Sequence, residues 1–253
     1  MAQVLAVTNQ KGGVGKTTTS VNLAAQLATP KRRVLLVDLD PQANATSSLG
    51  IDKDGLAKTL YDVLISHAGP ADIVLPTNIQ NLFVLPANAN LAQAEVDLVN
   101  VPSRETRLRQ ALASVDADVI IIDCPPALGL LTVNALTAAD KVLIPVQAEY
   151  FALEGLSQLL QTIQLVRSGL NPHLEIFGVV LTMFSKRTVL SEQVQAEVAQ
   201  HFGDKLLKTV VPRNVRLAEA PSYGRTIFEH DKWSKGARAY KNLAAEVVKR
   251  GKF

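Results

Sequence analysis

The sequence predicts an α/β protein, a doubly wound, mainly parallel sheet flanked by helices, and three observations carry that expectation. Short apolar runs recur at residues 4–7, 34–37, 82–85, 119–122, 142–146, 176–181 and 206–211, each with the length of a strand buried on both faces. Stretches with helical spacing separate most of them. The first run opens into a segment rich in glycine and lysine, and a helical pattern follows at once.

That segment, residues 9–19, reads Asn-Gln-Lys-Gly-Gly-Val-Gly-Lys-Thr-Thr-Thr. Val21, Ala24, Ala25 and Leu27 recur at helical spacing over residues 17–28, which sets the loop between a strand end and a helix N-terminus, the context of a phosphate-binding loop. A plain glycine-rich turn lacks that order of elements. Gly12, Gly13 and Gly15 let backbone N–H groups turn toward an anion. Lys16 is placed to reach terminal phosphates and Thr17 to offer a hydroxyl to Mg²⁺, so Lys11, Gly12, Gly13, Val14, Gly15, Lys16, Thr17 and Thr18 form the candidate ATP-binding stretch. The ordinary spacing of such a loop has glycine where Gln10 stands, and Lys11 is an additional lysine. The pattern predicts a nucleotide switch.

Two apolar strands end in aspartate. The first leads through residues 34–37 to Asp38, continuing Leu39-Asp40-Pro41-Gln42, and the second leads through residues 119–122 to Asp123. Asp123 has the form of a Walker B aspartate, which holds Mg²⁺, commonly through water, and Pro125 and Pro126 force a turn after it. Asp40 shares a face with Asp38 if the strand persists. One carboxylate then approaches the metal or braces the loop while the other orients a water for attack on the γ-phosphate. The residues alone leave that division open.

A chain of 253 residues, 47% hydrophobic, is of a size to form one α/β domain, expected here over residues 1–253. The stripe Leu156, Leu159, Leu160, Ile163 and Val166 marks a helix stopping near Gly169, with Asn171 and Pro172 beyond, while residues 41–60 and 66–80 read as loop-rich excursions. No apolar run reaches the roughly 18 residues of a membrane span, and no charged and apolar leader precedes the first strand, so a soluble, cytoplasmic protein is expected. The single cysteine, Cys124, excludes an internal disulfide and a cysteine-ligated cluster within one chain. Charge is unevenly distributed. Residues 186–253 hold 14 Lys and Arg against 7 Asp and Glu, whereas residues 1–185 hold 12 against 16. A basic C-terminal quarter suits a polyanion, nucleic acid or anionic lipid.

The Lys-Gly-Gly-Val-Gly-Lys-Thr loop, the Asp-Leu-Asp-Pro-Gln strand end and the Ile-Ile-Asp-Cys-Pro-Pro segment together resemble the ParA/MinD group of deviant-Walker P-loop ATPases. The likeness to the ParA (Soj) branch spans essentially the whole chain, including Pro212-Arg213-Asn214-Val215-Arg216 and Glu219-Ala220-Pro221-Ser222. The resemblance implies that Lys11 is the signature lysine, reaching across a nucleotide-sandwich homodimer to the partner's ATP. A cation supplied in trans ties the dimer to the γ-phosphate and stabilises transition-state charge. It also implies that Asp40 positions the attacking water and that Pro212 and Asn214 border the adenine. Lys11, Lys16 and Asp40 are thus the candidate catalytic residues, and Thr17, Asp38 and Asp123 the candidate metal-site residues.

By the same resemblance the ATP-bound dimer binds double-stranded DNA non-specifically on the nucleoid. A ParB/Spo0J-like centromere-binding partner then stimulates a slow hydrolysis that releases it. Lys186, Arg187, Arg213, Arg216, Arg225, Lys235 and Arg238 are the candidate DNA-contacting residues, scattered as a phosphate-tracking surface requires. Arg187 and Arg216 lie where that branch carries DNA-contacting arginines. With the first strand opening at residue 4, no sequence-specific helix-turn-helix domain is expected. A MinD-like membrane positioner needs an amphipathic C-terminal helix with a free apolar face. Here the stripe Ala237, Tyr240, Leu243, Ala244, Val247 and Val248 is expected to pack on the sheet, with only Arg250, Gly251, Lys252 and Phe253 beyond it, so no stable membrane association is expected. A reductase of the nitrogenase iron-protein type needs two cysteines per subunit. A ParA relative that positions a cargo other than DNA carries the same ATPase motifs.

Overall fold

Each apolar run expected to be a strand forms one in the computed structural model, which describes residues 2–149 and 155–251. Strand β1 (Gln3–Val7) feeds the glycine-rich loop, α1 (Lys16–Leu27) and β2 (Val34–Asp38). The first excursion holds the short α2 (Asn44–Ser48) and leads to α3 (Leu60–Ile65). The second holds the two-residue β3 (Leu75–Pro76) and leads to β4 (Leu82–Leu85). Helices α4 (Leu91–Asp97) and α5 (Arg107–Leu112) precede β5 (Val119–Asp123). Strict alternation follows through α6 (Leu130–Ala138), β6 (Lys141–Gln147), α7 (Leu156–Gly169), β7 (Glu175–Phe184), α8 (Val189–Phe202) and β8 (Leu206–Pro212). Helices α9 (Val215–Glu219), α10 (Ile227–Asp231) and α11 (Lys235–Gly251) come last. Lys252 and Phe253 lie outside the described residues.

Among the described residues the strands form one sheet in the order β3-β4-β2-β5-β1-β6-β7-β8, parallel except where β3 pairs antiparallel with β4. Pro76, which has no N–H to donate, is tolerated because β3 lies at the edge. The chain runs from β1 toward β2 on one side and later crosses from β5 over β1 to β6 on the other, and ligands of such sheets bind beyond the strand carboxyl ends where the order reverses.

Period-two alternation distributes the strand residues between two apolar layers. In β2, Leu35 and Val37 join the layer under α3 to α7, while Val34 and Leu36 join the layer under α1 and α11; Ile120 and Ile122 oppose Val119 and Ile121 in β5 in the same way. The stripe of α11 is spent in the second layer, with Ala237, Tyr240, Leu243, Ala244 and Val247 buried and Val248 partly so. Helix α7 ends at Gly169 as the sequence indicates. Asn171 turns its amide to the carbonyls of Leu136, Thr137 and Ala139, closing the C-terminus of α6.

Between α1 and α11 the hydroxyls of Thr19 and Tyr240 lie 3.1 Å apart, both side chains buried. Replacing one partner leaves the other hydroxyl buried and unsatisfied, whereas replacing both removes the polar pair. Urea unfolding of Tyr240→Phe is expected to show a loss of about 1 kcal/mol, and Thr19→Val combined with Tyr240→Phe a smaller loss than the sum of the single changes.

Candidate functional site

Strand register places the site. Residues pair as Val7 with Asp123 and Asp38 with Asp123, so the loop leaving β1 and the two strand-end carboxylates stand at one level on three adjacent strands. The loop itself is held from both sides. Asn9 donates from its amide to the Pro145 carbonyl at 2.8 Å and accepts from the Lys11 N–H at 3.0 Å, while the Thr182 hydroxyl donates to the Val14 carbonyl at 2.8 Å. Gly13 and Gly15 take φ of 75° and 85°, where a side chain is disfavoured, and a Cβ on Gly12 or Gly13 would point into open space. The loop is thus an open cradle at the start of α1.

Lys16 is 7% exposed, and its ammonium reaches back across the loop to the Lys11 carbonyl at 3.0 Å. Burial lowers its pKa, opposed chiefly by the carboxylates of Asp123 and Asp40. The additional lysine differs. Lys11 is partly exposed, and its ammonium has no partner among the described residues.

Both strand-end carboxylates are fully buried. Asp38 accepts from the backbone N–H and hydroxyl of Thr46, each at 2.7 Å, and from the Asp40 N–H at 3.3 Å. Burial pushes its pKa up to about 6 against those hydrogen bonds. Asp123 accepts from the hydroxyls of Ser20, at 2.8 Å, and Thr17; burial and the neighbouring Asp38 charge push it up to about 7. Its Oδ2 is buried without any hydrogen-bond partner. An orphaned carboxylate oxygen beside the Thr17 hydroxyl is the donor chemistry of a hard cation. Among the described residues no group of three or more His, Cys, Asp or Glu forms an all-protein cage, so the set suits Mg²⁺ held by few protein oxygens together with phosphate. Strand β2 stops at Asp38, and Asp40 sits in the following turn rather than on a continuing strand face. It is 7% exposed, with one oxygen taking the Gln42 N–H at 2.9 Å. Cys124 is buried, and burial raises its thiol pKa, which marks a packing residue.

Pro212 and Asn214 come to the same place from the far end of the chain. With Gly15, Thr18, Met183 and Tyr240 they line a cleft of about 280 Å³, roomy enough for a flat base. Asn214 caps α9 by accepting from the Arg216 N–H. Met183 holds a φ of 51° there, a left-handed conformation uncommon for a non-glycine residue.

The basic candidates divide. Lys186, Arg187, Arg213, Lys235 and Arg238 line one shallow groove of about 1020 Å³, together with Lys208, and all six are exposed. Arg213 also pairs with Glu149 at 2.7 Å and borders the cleft lined by Pro212 and Asn214. Arg216 lies outside the groove lining on α9, tied to Glu219 at 2.9 Å and Asp231 at 3.7 Å, and Arg225 occupies the turn before α10. At that turn Gly224 meets Gly50, from the turn after α2, backbone against backbone. A Cβ on Gly224 would stand 2.7 Å from the Gly50 Cα, and both glycines have positive φ.

Sequence reasoning missed Thr46, Ser20, Thr182 and Lys208. The first three act through bonds spanning 8, 103 and 168 positions, which no local pattern signals. Lys208 had a signal, as a cation on the last strand within the basic quarter.

Comparison with known proteins agrees with this geometry. A family model described as an AAA domain (AAA_31) matches residues 2–176. The chain is 58% identical to the sporulation initiation inhibitor protein Soj of Bacillus subtilis, over 99% of this chain and 100% of that protein. It is 51% identical to the chromosome-partitioning ATPase Soj of Thermus thermophilus, over 97% and 95%. A crystal structure from Mycobacterium smegmatis, described as cobyrinic acid a,c-diamide synthase with bound ATP analog and magnesium, superposes with a TM-score of 0.87 at 41% identity, covering 100% of this chain and 96% of that one. Identity of this extent runs far beyond the loop and its aspartates, and the chain therefore belongs to the ParA/Soj family of P-loop ATPases.

Proposed function

We propose that the protein is an ATP-driven DNA-partitioning switch, a single ATPase domain whose ATP-bound homodimer holds DNA non-specifically and lets go on hydrolysis. The observation that carries this reading is that Pro212 and Arg213 line both the base cleft and the basic groove. The end of β8 and the residue after it thus border the cleft read as the base site on one side and a cationic surface on the other. A change of nucleotide is then felt where a polyanion binds.

In this reading the cradle of residues 12–18 takes the phosphates through backbone N–H groups, and Lys16 exchanges the Lys11 carbonyl for phosphate oxygens. Thr17 and Asp123 hold Mg²⁺, Asp123 through water, with Asp38 bracing the site from behind Thr46. When bound, the ion neutralises charge on the phosphates. Asp40 has one oxygen fixed by Gln42 and the other free of protein partners among the described residues, which suits it to orient a water. Lys11, with its ammonium uncommitted, serves the ATP of a second copy of the chain. The groove residues track DNA phosphates without reading bases. A ParB-like centromere-binding protein supplies the stimulus for release, so that the switch persists until the partner arrives. The relatives' names support a chromosomal role. A membrane role loses its basis in α11, whose apolar stripe is committed to the core, and among the described residues no helix is long and apolar enough to cross a membrane.

The test is fluorescence anisotropy of a random-sequence duplex with the Asp40→Ala protein, Mg²⁺ and either ATP or ADP at two salt concentrations. Binding that requires ATP and weakens steeply with salt is expected. Absence of binding in both nucleotides, with the dimer confirmed by light scattering, overturns the DNA reading. In equilibrium nucleotide binding, Lys16→Ala is expected to lose about 3 kcal/mol, roughly a hundredfold, while Asp40→Ala retains ATP and accumulates as dimer. Equal loss in both variants sinks the role given to Asp40. For the basic surface, Arg187→Ala and Arg216→Ala are each expected to lower the salt slope of DNA binding by about one while leaving ATP-driven dimerisation intact.

A further inference from the structure

We propose that the cavity between α3, the turn at residues 66–70 and α5 binds a small oxyanion through Arg107. The cavity holds about 190 Å³ and shares no lining residue with the phosphate loop or the basic groove; His67, Ala68, Gly69, Pro70, Arg107 and Gln110 form most of its wall. Arg107 is the first residue of α5 and only 8% exposed, yet it forms no ion pair among the described residues. Its Nε is fully buried with no hydrogen-bond partner. Its Nη1 meets the ring of His67, at 2.6 Å from Nδ1 and in closer contact with Nε2.

A guanidinium keeps its charge at any physiological pH, and burying it without a carboxylate or a full set of acceptors is strongly unfavourable. An imidazole nitrogen is a neutral acceptor and does not balance the charge. The carboxylates on the surrounding segments do not supply the balance either. Asp62 caps α3 by accepting from the Thr59 N–H, and Glu105 pairs with Arg104. Asp72 comes close to Gly69, with its Oδ2 3.6 Å from where a Cβ would stand, but forms no ion pair with Arg107. His67 is held over the arginine by a φ of +54°, an uncommon conformation for a non-glycine residue.

Size and donor set choose the ligand class. The space accepts a phosphate or a carboxylate and is too small for a nucleotide, and a guanidinium fork binds such oxygens in pairs. The exposed Gln110 amide is a further donor at the rim, and the His67 ring positions the guanidinium. Phosphate and carboxylate share this chemistry, and a titration separates them.

The test follows the arginine Nε–Hε signals of the full chain in nitrogen-15 spectra, with Mg²⁺–ADP saturating so that the phosphate loop is engaged. The Arg107 signal is the one lost in Arg107→Lys or, if that variant does not fold, the one displaced in His67→Ala. At constant ionic strength, replacing chloride by inorganic phosphate or by acetate is expected to move it saturably. A response to phosphate alone assigns a tetrahedral ligand, and a response to acetate as well assigns a general oxyanion site. Exposed His67→Ala and Gln110→Ala are each expected to raise the midpoint about fivefold. A shift that does not saturate, that chloride reproduces, or whose midpoint neither variant moves overturns the proposal. Such a failure leaves the partitioning reading intact, since that reading uses none of these residues.

Discussion

Two carboxylates buried side by side at the ends of β2 and β5 are the constraint around which the rest of the site is arranged. Register fixes Asp38 beside Asp123, and full burial leaves each with little water to stabilise its charge. Lys16 is the nearest buried cation, and with Asp40 also nearly buried it stands against three acidic groups. Hydroxyls from Thr17, Ser20 and Thr46 compensate in part. The remaining imbalance falls on the open oxygen of Asp123. A divalent cation with phosphate would resolve it, since the cation would answer the carboxylates and the cradle of N–H groups the phosphate.

The same constraint explains why the surroundings are so heavily anchored. β6, β7 and α2 are each tied to the loop or to a carboxylate: the Pro145 carbonyl accepts from the Asn9 amide, the Thr182 hydroxyl donates to the Val14 carbonyl, and Thr46 donates from both its N–H and its hydroxyl to Asp38. None of these bonds is strong by itself, at about 1 kcal/mol net. Together they hold charged groups in a geometry those groups would not choose alone.

Much of the fold was legible because burial on both faces of a parallel sheet writes itself as uninterrupted apolar runs, and the runs at residues 34–37 and 119–122 announced their terminal aspartates. The loop was legible for a similar reason, since its glycines, lysines and threonine act through spacing within a few residues. Strand β3 was not, because two residues containing a proline carry no period. Neither was the grouping of the cations. Lys186, Lys208 and Arg238 converge only after β7, β8 and α11 have packed, and nothing in the local sequence around Arg216 separates it from them. Pro212 and Asn214 could be placed through family resemblance alone, because a Pro-x-Asn turn has no chemistry of its own until Thr18 and Tyr240 face it.

The meeting of Gly50 with Gly224 has a consequence for how this chain can vary. Two positions 174 residues apart share this space unequally: a Cβ on Gly224 would stand 2.7 Å from the Gly50 Cα and force the facing backbone to retreat, whereas a Cβ on Gly50 would stand 3.1 Å from the Gly224 carbonyl and is opposed as much by its own positive φ. A larger residue at position 224 therefore calls for a shift of the backbone at position 50, so what one position tolerates depends on the other. The turn after α2 and the turn that carries Arg225 are in this sense one inheritable unit, although they lie far apart along the chain.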